Sequence, residues 1–303
     1  MYAVCDYACA DSVRVKDGAR QTRVTVMDGA LPADQASHVG GTIAATGVVA
    51  GARGMANGAT LDSYDWNSDS TEMTSRAATG PAQAGKIYLS NHSYGYVSGW
   101  NYVNGGSPAR VWEWNGLGTT NTAIEDDFGR YNTYASDSDA LAFNAPYYLI
   151  FRSAGNDRSD NPTTGQNIAL APGSATVVAY DPAAHPGGDG SYRGGFDTIG
   201  FNALGKNVIT IGSTLDAVSN GARDPAAASV SAFSSWGPTD DGRIKPDLVA
   251  NGDLLYSSLG SSNTAYGNYS GTSMATPNAC GSAALLIQHY GNLFPNSPCA
   301  QAP

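Results

Sequence analysis

The chain predicts a three-layer α/β/α fold on a mainly parallel central sheet, and three observations carry that prediction. Short apolar runs, ATLDSYDW, KIYLSNHS, YYLIFRS and KNVITIGS, alternate with helical stretches such as SDALAFNA and residues 273–290, the pattern of strand–helix units. The segments richest in chemistry fall at the ends of those strands or at the start of the helices that follow, where open α/β sheets bind their ligands. At 303 residues the chain is long enough to bury one large core. Residues 1–292 read as a single domain, and 293–303, ending in PNSPCAQAP, as a Pro-rich tail or linker.

Taken in order, residues 2–5 form a short apolar strand that runs into Asp6, and RVTVMDGA from Arg23 forms a second strand capped by Asp28. QASHVGGTIAATG from Gln35 continues as a helix. The run PYYLIF is a buried strand leading through FRSAGNDRSDN into a tight turn at Gly155, so Asn156 stands at a strand's C-terminal end. Residues 96–133, rich in Gly, Asn and Trp, and residues 157–205 read as excursions from the repeating pattern that could shape a cleft.

Gly271 and Thr272 lead into a helix whose apolar side carries Met274, Ala275, Ala279, Ala283 and Leu286, with Pro277 in its opening turns. Ser273 therefore sits at a helix mouth, beside oriented N–H groups and positive potential. A helix-capping serine would look similar. A serine hydroxyl becomes a nucleophile only with a nearby base and a place for the developing oxyanion.

The seven consecutive residues GTSMATP, with AFSSWGPTDDGRIKPDLVANG before them and FRSAGNDRSDN and SNHSYGYVSGW further upstream, closely resemble the subtilisin-like serine proteases, the subtilases. The resemblance implies a subtilisin-like fold, with Ser273 as nucleophile and Asn156 as the amide donor to the oxyanion. An uncharged donor suits that role because it exchanges no proton during turnover. It also implies a cleft between two backbone rails, Ser93, Tyr94 and Gly95 on one side and Ser153, Ala154 and Gly155 on the other, with Tyr94 bordering a side-chain pocket. An extended peptide or protein would bind there by strand addition, and no cofactor would be needed for the chemistry.

The histidine segment departs from the family pattern. Subtilases carry HGTHVAGT, whose first histidine is the general base and whose second is structural; here the matching stretch is QASHVGGT. His38 falls on the structural position and Gln35 on that of the base. A slip of three residues would displace nearly a whole helical turn. An amide can hold a hydrogen bond to Ser273 but cannot take its proton. Losing this base costs turnover on the order of 10⁶, about 8 kcal/mol of transition-state stabilisation. The expectation is peptidase activity that is weak, unconventional or confined to activated esters, or a pseudoprotease that binds extended peptides.

Asp6 is the expected third member of the triad, though Tyr7 and Ala8 replace the small residues that follow it in the family; Asp11, Asp17 and Asp28 are the alternatives. Other histidines offer no replacement base. Strand alternation turns His92 away if Ser93 faces the cleft, His289 lies four helical turns beyond Ser273, and His185 sits in the loop DPAAHPGGDG.

Net charge of −10 excludes a basic nucleic-acid-binding face, and no apolar run is long enough to span a membrane. No secretory signal begins at Met1, yet 14% charged residues, 37 glycines and 17 tyrosines suit an exported, monomeric protein. The four cysteines allow three pairings and form no zinc array. Cys5 and Cys9 are close, Cys280 faces the core two turns after Ser273, and Cys299 lies in the tail. Acidic loop residues such as Asp189 and Asp197 are read as solvated, with structural calcium as an alternative role.

Overall fold

A computed structural model describes residues 2–7, 11–12, 23–29, 31–105 and 109–296. Its central element is a sheet of seven strands, all paired in parallel. In chain order the strands are β1 (Tyr2–Tyr7), β2 (Val24–Val26), β3 (Thr60–Asp65), β4 (Leu89–His92), β7 (Leu149–Ser153), β10 (Ile209–Thr214) and β11 (Leu248–Asn251). The intervening β5 (Trp100–Gly105), β6 (Arg110–Trp114), β8 (Asn167–Ala169) and β9 (Val178–Ala179) form a separate four-stranded sheet. Across the main sheet the order is β11-β10-β7-β4-β1-β3-β2, which puts β1 between β4 and β3.

Among the described residues four α-helices complete the layers: α1 (Asp34–Ala44), α2 (Asp69–Arg76), α3 (Thr133–Asn144) and α4 (Thr272–Leu293). Alternation along each strand divides the core. Phe151, with Leu89 and Ile211, packs on Ala275, Cys280 and Ala284 of α4, while its neighbour Ile150 packs with Met73 of α2 and with Ala145 and Tyr148 after α3. With both faces covered, β7 opens on three consecutive apolar residues, Leu149, Ile150 and Phe151, before Arg152 and Ser153. Ala36, Val39 and Ile43 of α1 share a cluster with Met274 and Leu61, so α1 and α4 lie on the same side.

The three-layer prediction therefore holds, and each strand read from an apolar run overlaps its expected segment, with β1 and β10 running on to Tyr7 and Thr214. The two excursions prove to be partners. Residues 100–105, 110–114, 167–169 and 178–179 pair into the second sheet, whose own core is Trp100, Trp112, Trp114, Ile168 and Tyr180. Cys280 is a free, fully buried thiol. Cys9, Cys299 and Asp17 lie outside the described residues.

Candidate active site

The C-terminal ends of the strands and the first turn of α4 meet at Ser273. Pro277 sets up this corner: it has no N–H to give the Ser273 carbonyl four residues back. Ser93, just beyond β4, donates its Oγ to that carbonyl instead, at 2.8 Å. The Ser273 hydroxyl donates in turn to the Ser93 carbonyl at 3.0 Å. Ser93 is thus fully buried and joins one cleft wall to the helix that carries the nucleophile.

Asn156 is oriented by Thr272. Its Oδ1 accepts both the Thr272 N–H, at 2.9 Å, and the Thr272 hydroxyl, at 3.0 Å, while Thr272 Oγ1 accepts the Gly155 N–H. A backbone N–H can only donate, so the amide oxygen must face Thr272 and Nδ2 is left for the cleft. The Ser273 N–H, near the start of α4, has no carbonyl a turn behind it. The two donors converge: a Cβ built on Gly271 would lie 3.5 Å from Asn156 Nδ2 and 3.7 Å from Ser273 N. Gly271, at φ 154°, leaves that space open. Such a pair of N–H groups can hold a developing negative charge beside Ser273 Oγ.

Gly155 permits the tight turn after β7, against Asp157 and Ser235. Its φ is +103°, and a Cβ there would fall 2.5 Å from Asp157 Oδ2 and 3.1 Å from Ser235 Oγ. Ser235, from the AFSSWGP segment, accepts the Asp157 N–H and donates to Asp157 Oδ2.

A cavity of about 230 Å³ opens beside Ser273. Tyr94, Gly95, Ser153, Ala154 and Gly155 line it, and Trp100 and Phe128 add aromatic surface. Tyr94 is 8% exposed and its hydroxyl is turned inward, to Asp69 Oδ2 at 2.7 Å. Asp69 also accepts the Tyr134 hydroxyl at 2.7 Å and lies 3.7 Å from the Arg152 guanidinium, which is buried. Burial pushes the Asp69 carboxyl up, but the two phenols and Arg152 outweigh it and hold its pKa below the ordinary carboxylate value.

No histidine ring is bonded to Ser273. His38 is buried, stacked on Tyr269 with ring centroids 4.8 Å apart, and Nε2 meets the Leu255 carbonyl at 2.8 Å. His92 is enclosed between Ser90 Oγ and the Tyr94 hydroxyl, and desolvation together with Arg152 drives its pKa well below normal, so it stays neutral. His185 Nδ1 accepts the Asp181 N–H. His289 is exposed on α4, about 24 Å along the axis from Ser273. Gln35 is half-buried in the first turn of α1. Asp6 lies near the C-terminal end of β1, in register with Tyr64 and His92, at the sheet edge that carries Ser93 and Asn156.

Two expectations are corrected. Asp189 and Asp197 are not solvated loop residues: they are 3% and 2% exposed. Asp189 Oδ2 accepts the Trp100 N–H, and Asp197 pairs with Arg193. Among the described residues no three His, Cys, Asp or Glu side chains come together as a metal-holding group. Sequence reasoning also missed Asp157 and Asp160 as cavity-lining residues; they stand one and four positions after Asn156 in a segment whose importance was otherwise plain.

A parallel sheet flanked by helices, with a serine at a helix mouth and an asparagine amide opposite, defines the subtilisin-like architecture. The subtilase family model matches residues 36–301, and the chain belongs to that family. Over 99 residues it is 38% identical to a C5a peptidase of Streptococcus pyogenes, covering 33% of this chain and 7% of that protein. Over 136 residues it is 35% identical to the serine protease AprX of Bacillus subtilis, covering 41% of this chain and 28% of that one. It thus spans under a third of either relative. The Clostridium perfringens CspB protease superposes with a TM-score of 0.57 at 15% identity, covering 98% of this chain and 83% of that one, a likeness of fold.

Proposed function

We propose that the chain is a subtilisin-type serine hydrolase domain acting on extended peptides or proteins, with Ser273 as nucleophile and Asn156 Nδ2 and the Ser273 N–H as oxyanion donors. The observation that carries the reading is that Asn156, oriented through its Oδ1 by Thr272, and the Ser273 N–H border one small space at Gly271. Gln35 occupies the place of the general base and Asp6 that of the third triad member. The serine proton then has no nitrogen to receive it, and peptide hydrolysis is slow or confined to activated esters. Family membership and the protease names of its relatives support the class of reaction. A monomer exported from the cell fits the composition.

A second reading is a peptide-binding pseudoprotease, favoured by the Ser273 hydroxyl, which donates to the Ser93 carbonyl, an acceptor too weak as a base to take the proton. Hydrolysis of casein and of an activated peptide ester by the parent, Gln35→His and Ser273→Ala separates the two. Parent activity above that of Ser273→Ala supports the hydrolase. Activity in Gln35→His alone supports a pseudoprotease on a repairable scaffold. Activity in none rejects the assignment of Gln35 and Asp6.

A further inference from the structure

We propose that the cavity beside Ser273 selects peptides carrying a basic side chain, arginine or lysine, at the residue whose carbonyl Ser273 faces. The inference rests on the peptide-cleft reading above and names the substrate class for that cleft.

The cavity is about 230 Å³, below the ~300–1,000 Å³ of drug-sized pockets and suited to one side chain. Asp157 and Asp160 both line it. Behind them stand two more buried carboxylates, held by successive amides: Glu125 Oε2 accepts the Gly99 N–H and Asp189 Oδ2 the Trp100 N–H, each at 2.8 Å. The Asp189 N–H donates to the Asp160 carbonyl, tying the group together.

No cation of the described chain answers these four acids. Arg158, the basic residue nearest in sequence, is turned away: Nε and Nη2 donate to the carbonyls of Ala232 and Ser231, and the guanidinium lies 3.9 Å over the Trp236 ring. Burial, reinforced by mutual repulsion, raises Asp157 to about 6 and Asp160 to about 7, and lifts Asp189 well above the ordinary value. Unneutralised carboxylates at the edge of a cavity favour an incoming positive charge. Asp157 and Asp160 border a slot open at the serine, while Glu125 and Asp189 line the neighbouring cavity. A guanidinium or ammonium on a long aliphatic stem fits this layout, the stem against Trp100 and Phe128 and the charged head at Asp157 and Asp160. A leucine or phenylalanine would cover those acids without neutralising them.

The test uses fluorescent acetylated tetrapeptide amides, Ala-Ala-Pro-X with X as Arg, Leu or Glu, titrated by anisotropy at pH 8 against the full chain and Ser273→Ala. Binding needs no turnover, so the result is independent of Gln35. The Arg peptide is expected to bind about tenfold more tightly than the Leu peptide in both proteins, with the Glu peptide weakest. Asp160→Asn, and Asp157→Asn where it folds, should bring the Arg-to-Leu ratio towards one. Equal or tighter binding of the Leu peptide, or a ratio indifferent to Asp160→Asn, overturns the proposal while the cleft reading stands. Failure of all three peptides to bind overturns both.

Discussion

Ser93 and Ser273 are joined by a reciprocal pair of hydrogen bonds, each hydroxyl donating to the other's carbonyl, at 2.8 and 3.0 Å. The pair exists because Pro277 cannot supply the helical N–H that Ser273 O would otherwise receive. A cleft wall and a nucleophile are thereby placed by one helix defect.

A double-mutant cycle tests that relationship. Ser93→Ala leaves the Ser273 carbonyl without its donor and is expected to cost about 1–3 kcal/mol in chemical denaturation. In a Pro277→Ala background the restored N–H takes over the carbonyl, so Ser93→Ala should cost clearly less. Equal costs in the two backgrounds would mean that the proline does not govern this contact.

Thr272 orients Asn156 through Oδ1, and the two should separate by magnitude. The rate at which a peptidyl phosphonate labels Ser273 is expected to fall on the order of 10²-fold in Asn156→Ala, which removes a donor to the oxyanion. Thr272→Val keeps the backbone N–H bond at 2.9 Å and loses only the hydroxyl, so labelling should fall several-fold. A Thr272→Val loss as large as that of Asn156→Ala would place the hydroxyl itself in the reaction.

Asp69 is the anion facing buried Arg152. Asp69→Asn strands that guanidinium and is expected to destabilise the domain by about 3–5 kcal/mol. Because the folded pKa of Asp69 lies below its unfolded value, its contribution is full above the unfolded pKa and is lost as pH falls through the folded one. Parent and variant melting temperatures should therefore approach each other below pH 4. A constant gap from pH 3 to 8 would remove the charge from the explanation.

Asp160 behaves in the opposite sense. Burial and the neighbouring Asp157 raise its folded pKa to about 7, so its contribution is full below the unfolded pKa and is lost as pH rises through 7. Asp160→Asn should melt a few degrees above the parent at pH 8, with the difference closing towards pH 4. A variant less stable than the parent at pH 8 would contradict the sign.

What the sequence disclosed follows from how each feature is encoded. Ser273 and Asn156 lie in contiguous segments, and β7 and β10 announce themselves as apolar runs between turn residues, so both were legible. Helix α2, DSTEMTSR, buries little besides Met73 and Asp69 and offers no apolar period to read. The cavity draws on segments near residues 94–101, 153–160, 200–202 and 272–273, whose meeting only the sheet order determines. The burial of Arg152 depends on Asp69, Tyr94 and Tyr134, which lie far from it in the sequence.

The side sheet built from residues 100–105, 110–114, 167–169 and 178–179 gives the molecule a division of labour. The reactive corner is fixed by main-chain geometry at Gly155, Gly271 and Pro277, which tolerates little change. The far wall of the cavity begins at Trp100, the first residue of a sheet that has its own tryptophan core. Loop exchange within that sheet can therefore remodel which side chains are admitted while the serine corner keeps its shape, making selectivity and reactivity separately evolvable in one domain.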